Sequence, residues 1–137
     1  MFDKERAPTA AMVKKYVFLS PMLDSALAEM REFAKKKQDG IVTATKIKIL
    51  NRLLSDVREV LAREESVNYL EPLDEQELPQ NSDAVLILGQ YKAALNSFHD
   101  AHYRWAANTQ RWVTQEWIDE YERDDESELE EEDDEEE

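Results

Sequence analysis

Apolar side chains recur at intervals of three and four residues along most of the chain, which is the period of an α-helix with one buried face. The first such stretch follows Ser20 and Pro21. This pair suits a helix start because serine caps free N–H groups and proline needs no N–H at the first position. Cationic residues followed by Gly40 end the stretch. We expect a first helix over about residues 20–37 with this buried face: Leu23, Ala26, Leu27, Met30, Phe33 and Ala34.

A second helix is predicted from a cap at Thr43 or Thr45 to about Arg63. Its apolar seam is nearly unbroken and consists of Ile47, Leu50, Leu54, Val57 and Leu61. The helical period is lost over residues 64–81, which contain Pro72 and Pro79. We expect an ordered connection here, although long structureless loops are uncommon inside compact domains. Its apolar anchors would be Val67, Tyr69, Leu70, Leu73 and Leu78.

The third helix is predicted to begin at an Asn81 or Ser82 cap and to be the longest. If it is unbroken to Tyr121, it holds about 39 residues and spans about 58 Å, whereas the first two helices reach about half as far. Its end would then overhang the bundle, and either the apolar segment 10–19 or a second copy of the chain would have to cover it. A bend near Gly89 or Asn108 would shorten the overhang. The buried face of this predicted third helix consists of Ala84, Leu88, Tyr91, Leu95, Phe98, His102, Trp105, Thr109 and Trp112.

These patterns predict an all-α protein: a small helical bundle of about three main helices with a long C-terminal helix and a disordered acidic tail. The low content of turn-forming residues, two glycines and four prolines, agrees with this fold class. We divide the chain into an N-terminal segment that packs on the bundle (residues 1–19), the helical bundle domain (20–121) and the tail (122–137). The body is long enough for one domain with a substantial core.

The formal charge of −15 is a property of the tail. Residues 116–137 contain 16 acidic residues and one base, Arg123, whereas residues 1–115 contain 16 acidic and 16 basic residues. Repulsion among these charges, with almost no apolar side chain to bury, predicts disorder. Such a segment can bind basic surfaces of nucleic-acid-binding proteins by imitating phosphate charge. The alternatives are a purely solubilising tail or binding to the basic half of its own body. The candidate binding residues are Asp124, Asp125, Glu126, Glu128, Glu130, Glu131, Glu132, Asp133, Asp134, Glu135, Glu136 and Glu137.

A stripe of aromatic residues precedes the tail: Trp105, Trp112, Trp117 and Tyr121. Aromatic side chains dominate both cores and interfaces, so the stripe either packs inside the bundle or binds a partner. The predicted overhang of the third helix favours an interface, through a homodimer of the C-terminal helix or a helix-in-groove contact.

Basic residues cluster around the predicted turn between the first two helices. A corner of this kind can contact a phosphate backbone, although neither a recognition-helix motif nor aromatic residues for base stacking accompany it. The simpler interpretation is a solvated turn with favourable C-terminal capping charges. The candidate phosphate-binding residues are Lys35, Lys36, Lys37, Lys46 and Lys48.

Composition argues against several classes of function. The chain has no cysteine, which removes disulfides, thiolate metal ligands and thiol nucleophiles. His99 and His102 lie one helical turn apart, but no other histidine exists to complete a metal site, so we expect hydrogen-bonded histidines. No phosphate-binding glycine loop, nucleophile elbow or zinc-protease motif occurs. We therefore predict a protein that is not an enzyme, has no cofactor or metal, does not bind membranes and resides in the cytoplasm.

The leading hypothesis is a non-enzymatic adaptor or inhibitor. Its acidic tail and aromatic C-terminal helix would bind a basic partner, expected to be a nucleic-acid-binding protein, through partial nucleic-acid mimicry or assembly chaperoning. Two rivals remain open. One is a structural homo-oligomer with a solubilising tail, and the other is a nucleic-acid-binding module that uses the basic corner and is autoinhibited by the tail. Direct nucleic-acid binding is the less favoured of these mechanisms.

Overall fold

A computed structural model describes residues 2–135, with side chains described as far as Glu128. This part of the chain forms the helices α1 (Ala10–Lys36), α2 (Ala44–Val60), α3 (Asn81–His102) and α4 (Gln115–Glu135), a 3-10 helix (Glu65–Tyr69) and a two-stranded antiparallel hairpin of β1 (Tyr103–Ala106) and β2 (Thr109–Trp112). The predicted small helical bundle with a long C-terminal helix is confirmed. Its core lies where α1, α2 and α3 pack together.

The first helix begins eleven residues earlier than its sequence signals indicated. Thr9 is the N-cap, and its hydroxyl accepts a hydrogen bond from the Met12 N–H at 3.2 Å. The prediction that Ser20 and Pro21 start the helix is wrong, because Pro21 lies inside α1 on its exposed face. Burial of Leu19 and Leu23 on either side of the proline favours a continuous helix there.

The second helix follows its sequence pattern closely. Thr43 is the N-cap, with its hydroxyl accepting from the Lys46 N–H at 3.3 Å. The predicted seam residues are all buried, and they form the centre of the main core with Leu88 and Leu95 of α3: Ile47, Leu50, Leu54, Val57 and Leu61.

The connection between α2 and α3 is ordered by two polar side chains. The Asn51 amide donates to the Leu73 carbonyl and accepts from the Leu73 N–H, both at 2.8 Å, as a neighbouring strand would. The Tyr91 hydroxyl accepts from Arg58 at 2.6 Å and donates to the Glu71 carbonyl at 2.8 Å. Leu73 is buried, whereas the predicted anchors Tyr69 and Leu78 are exposed.

We expect Tyr91→Phe to lower the free energy of unfolding by about 1–3 kcal/mol, because Arg58 and the Glu71 carbonyl each lose a partner beside a fully buried ring. Burial raises the pKa of the Tyr91 hydroxyl above its ordinary value of 10.0, although the Arg58 guanidinium opposes the shift. The stability from this group is complete below pH about 10 and falls as pH rises through the folded-state pKa.

Urea unfolding of the wild type and of Tyr91→Phe, at neutral pH and above about pH 10, measures both effects. The difference between the two proteins should narrow at the higher pH. Tyr69→Phe is the matched control, because its ring is 75% exposed. Equal destabilisation by the two substitutions would show that the buried hydroxyl does not stabilise the connection.

The predicted third helix is interrupted. α3 ends at His102, and the hairpin replaces the helix that sequence periodicity extended to Tyr121. Ala107 and Asn108 turn the chain with φ of 48° and 68°, the left-handed pair of a two-residue hairpin turn. Because the hairpin ends this helix at His102, the predicted overhang of the third helix beyond the bundle does not exist.

The acidic segment differs from its prediction as well. Residues 122–135, predicted to be disordered, continue α4, and their side chains as far as Glu128 are exposed. Glutamate has a high helix propensity, and the packed first turns of α4 supply the costly nucleus on which the rest of the helix grows. Glu136 and Glu137 lie outside the described residues.

Candidate partner-binding surface

Both faces of the hairpin carry side chains that contact the rest of the protein. Tyr103 and Trp112 form a cross-strand pair on one face, with their ring centroids 5.4 Å apart. Trp112 also packs against Tyr16 of α1 at 5.2 Å and Phe98 of α3 at 5.9 Å. This face therefore extends the main core, and segment 10–19 supplies Tyr16 as the cover for the aromatic residues.

The opposite face carries two arginines directly across from each other, Arg104 and Arg111. Like charges in this position repel, but each guanidinium lies over an aromatic ring. Arg104 lies 5.3 Å from the Phe2 ring and Arg111 lies 5.0 Å from the Trp117 ring. Below them a second, smaller core is formed by Ala7, Ala106, Val113 and Ile118.

The N-terminal segment holds the base of α4 in place. The Lys4 ammonium pairs with Asp119 at 2.6 Å, and the Gln115 N–H donates to the Pro8 carbonyl at 2.9 Å. Glu116 accepts from the Ala10 N–H at 2.6 Å, so one carboxylate joins the starts of α1 and α4. These contacts give the acidic helix a defined origin on the body.

The first turn of α4 has its own cap. The Thr114 hydroxyl accepts from the Trp117 N–H at 3.1 Å, and the Thr114 side chain is buried. Threonine as a cap followed by Glu116 is a helix-start signal, but the apolar period that runs through this point hides it in the sequence.

The four aromatic residues of the predicted stripe do not share one surface. Trp112 is part of the main core, and Trp117 packs on the second core. Trp117 and Tyr121 stack at 5.1 Å and both contact Phe2 edge-on, at 5.0 and 5.8 Å. Tyr121 remains 43% exposed and Trp105 65% exposed. Trp105 and Tyr121 are therefore the members of the stripe available to a partner.

The acidic stretch begins where these contacts end. Beyond Tyr121, the side chains of residues 122–128 are exposed, and Arg123 donates to the Asp119 carbonyl of its own helix at 3.3 Å. Four of the candidate tail residues have described side chains, namely Asp124, Asp125, Glu126 and Glu128. Glu130, Glu131, Glu132, Asp133, Asp134 and Glu135 lie on the described backbone of α4.

The five lysines of the predicted basic corner are distributed over several surfaces. Lys35 pairs with Glu32 at 3.1 Å, and the Lys46 ammonium lies 3.7 Å from the Phe33 ring. Lys36 ends α1 and Lys37 is its C-cap. Lys48 follows Lys46 by two residues in α2, so their side chains point about 160° apart. The corner thus offers an exposed cationic helix end at Lys36 and Lys37, with Lys48 turned away.

The two histidines have separate hydrogen-bond partners. His102 Nε2 lies 2.5 Å from a Glu64 carboxylate oxygen, and His99 Nδ1 lies 3.2 Å from Asp100. Among the described side chains, those of residues 2–128, no group of three or more histidines or carboxylates is placed to hold a metal ion.

No protein-family model, curated protein or solved structure matches this chain. Among the helices that the structure describes, none combines the length and apolar character needed to cross a membrane.

Proposed function

We propose that this protein is a non-enzymatic binding protein whose acidic helix α4 competes with nucleic acid for a basic, nucleic-acid-binding protein. The observation that carries the proposal is the density of charge along α4. Its 21 residues include 14 acidic side chains and one arginine.

The charge spacing of α4 falls between those of single-stranded and duplex DNA. At 1.5 Å per residue the helix is about 31 Å long, so it carries one net negative charge per about 2.4 Å. A duplex carries one charge per about 1.7 Å and a single strand one per about 3.4 Å. A cationic groove that follows a phosphate backbone would therefore meet a similar linear charge on α4.

The fixed attachment of α4 to the body supports competition with nucleic acid for a defined binding groove over non-specific electrostatic binding. The contacts of Thr114, Glu116 and Asp119 fix where the helix starts. A partner that binds the acidic stretch is thereby brought towards the exposed ring of Tyr121, which supplies apolar contact area beside the charges. This combination gives fast electrostatic association together with an anchor near the body.

Displacement of DNA tests the proposal. A fluorescently labelled duplex is bound to a lysine-rich linker histone as a representative basic DNA-binding protein, and this chain is titrated in while anisotropy is recorded. We expect the full-length chain to release the duplex and a variant ending at Tyr121 to release none at the same concentrations.

The control carries Lys36→Gln, Lys37→Gln and Lys48→Gln, and it should displace the duplex as well as the wild type does. If the variant ending at Tyr121 also releases the duplex, the acidic helix is not the competing element. If the full-length chain binds the free duplex through the basic corner, the nucleic-acid-binding alternative replaces this proposal.

A further inference from the structure

A cleft lies at the end of the bundle, where four segments meet. It has a volume of about 610 Å³, within the usual range for small-molecule sites. The N-terminal segment, the exit of α2, the last turn of α3 and the hairpin all line it, whereas the described acidic side chains of α4 do not.

Three arginines line this cleft: Arg6, Arg63 and Arg104. Arg63 donates one guanidinium N–H to the Ala7 carbonyl at 3.2 Å, and Arg104 rests over the Phe2 ring. Among residues 2–128, neither Arg63 nor Arg104 has a carboxylate within salt-bridge distance. Within the described residues, the contacts that hold these two guanidinium groups are thus to neutral partners.

The acidic residues of the cleft are arranged differently. Glu64 is engaged by His102 at 2.5 Å, and Asp3 contacts Arg6 at 3.5 Å. Glu65 also lines the cleft and opposes the binding of an anion. The lining carries three positive and three negative side chains. Whether the cleft prefers an anion therefore depends on which of these side chains are already paired with each other.

We infer that this cleft binds a small organic phosphate monoester, with Arg63 and Arg104 holding the phosphate. Guanidinium groups match phosphate oxygens bidentately, and these two line the same cleft from different segments of the chain. The cleft is larger than a phosphate ion, and Ala7, Ala101 and Val113 provide apolar surface for an organic group. The inference is independent of the proposed role of α4.

Titration calorimetry and arginine side-chain NMR test this inference on the full-length chain at about pH 7.5, where a phosphate monoester is mostly dianionic. The probes are AMP, inorganic phosphate and acetate. We expect saturable binding of AMP, weaker binding of inorganic phosphate, and acetate weaker than phosphate. Equal affinities for AMP and inorganic phosphate would contradict the claim that the cleft also binds the organic group. Acetate binding as tightly as phosphate would contradict the claim that two arginines recognise the phosphate.

Three variants locate the site. Arg104→Gln should weaken AMP binding roughly tenfold, the size expected for a charge-assisted hydrogen bond. Glu65→Gln should tighten it about threefold, as expected for removing a like charge across a water-filled cleft. Arg52→Gln, on the exposed face of α2, should change nothing.

Arg104 is chosen because Arg63 also supports the backbone at Ala7. Thermal unfolding of each variant verifies that it folds. AMP binding unchanged by Arg104→Gln and Glu65→Gln, or absent from the wild type, would overturn the inference.

Discussion

A full-length variant with the eleven acidic residues of positions 122–135 replaced by Asn and Gln is expected to lose at least about 100-fold of its affinity for the linker histone. Each neutralised side chain removes a charge that would otherwise release counterions on binding. Glutamine has a helix propensity close to that of glutamate, so the loss reports on charge more than on helix formation. Competition against labelled duplex DNA, followed by anisotropy, measures it.

The matched control keeps the composition and charge of residues 122–135 but shuffles their order. It should retain the wild-type affinity within about threefold, because the charge per unit length of helix is unchanged. Wild-type affinity of the neutral variant for the linker histone, or loss of affinity in the shuffled variant, would show that linear charge density is not what the partner recognises.

The second large effect concerns the anchorage of α4. We expect Ile118→Ala to cost about 2–5 kcal/mol of local stability, because its fully buried side chain is the largest in the second core. Ala7, Ala106 and Val113 would lose their common contact. The hairpin, the N-terminal segment and the first turns of α4 should therefore loosen together.

Hydrogen exchange resolved by residue checks this effect. Amides of residues 103–121 should exchange faster in Ile118→Ala, while those of α2 and the first half of α3 keep their protection, because they belong to the main core. Ile49→Ala is the control, since that side chain is exposed. A uniform rise in exchange would mean that the two cores unfold as one unit.

Sequence periodicity located α2 and the start of α3 because their buried positions repeat at a single period. It failed at the hairpin, whose strands have only four residues each. In strands this short, Trp105 and Trp112 fit a helical seam as well as a strand pattern. The turn at Ala107 and Asn108 also lacks the glycine that usually marks a two-residue hairpin.

The start of α1 is set by tertiary contacts that local sequence signals do not show. Ser20 and Pro21 have the chemistry of a helix start, yet Tyr16 lies against Phe98 with ring centroids 5.4 Å apart. The packing of residues on both sides of Pro21 outweighs the hydrogen bond that the proline cannot form.

The acidic charge of the candidate surface was readable from the sequence, whereas its attachment was not. Phe2 is far in the chain from Arg104 and Trp117, and no local pattern indicates that it contacts both of them. The same is true of the arginine cleft, whose residues come from four segments.

The salt dependence of binding tests the central claim most directly. The dissociation constant of the full-length chain for the linker histone would be measured from about 50 to 200 mM salt. If α4 acts as a polyanion, the logarithm of the association constant should fall with the logarithm of salt concentration with a slope steeper than about −4, and the neutral variant should give a slope near zero. A slope shallower than about −1 for the wild type would contradict the claim that α4 binds as a substitute for nucleic acid.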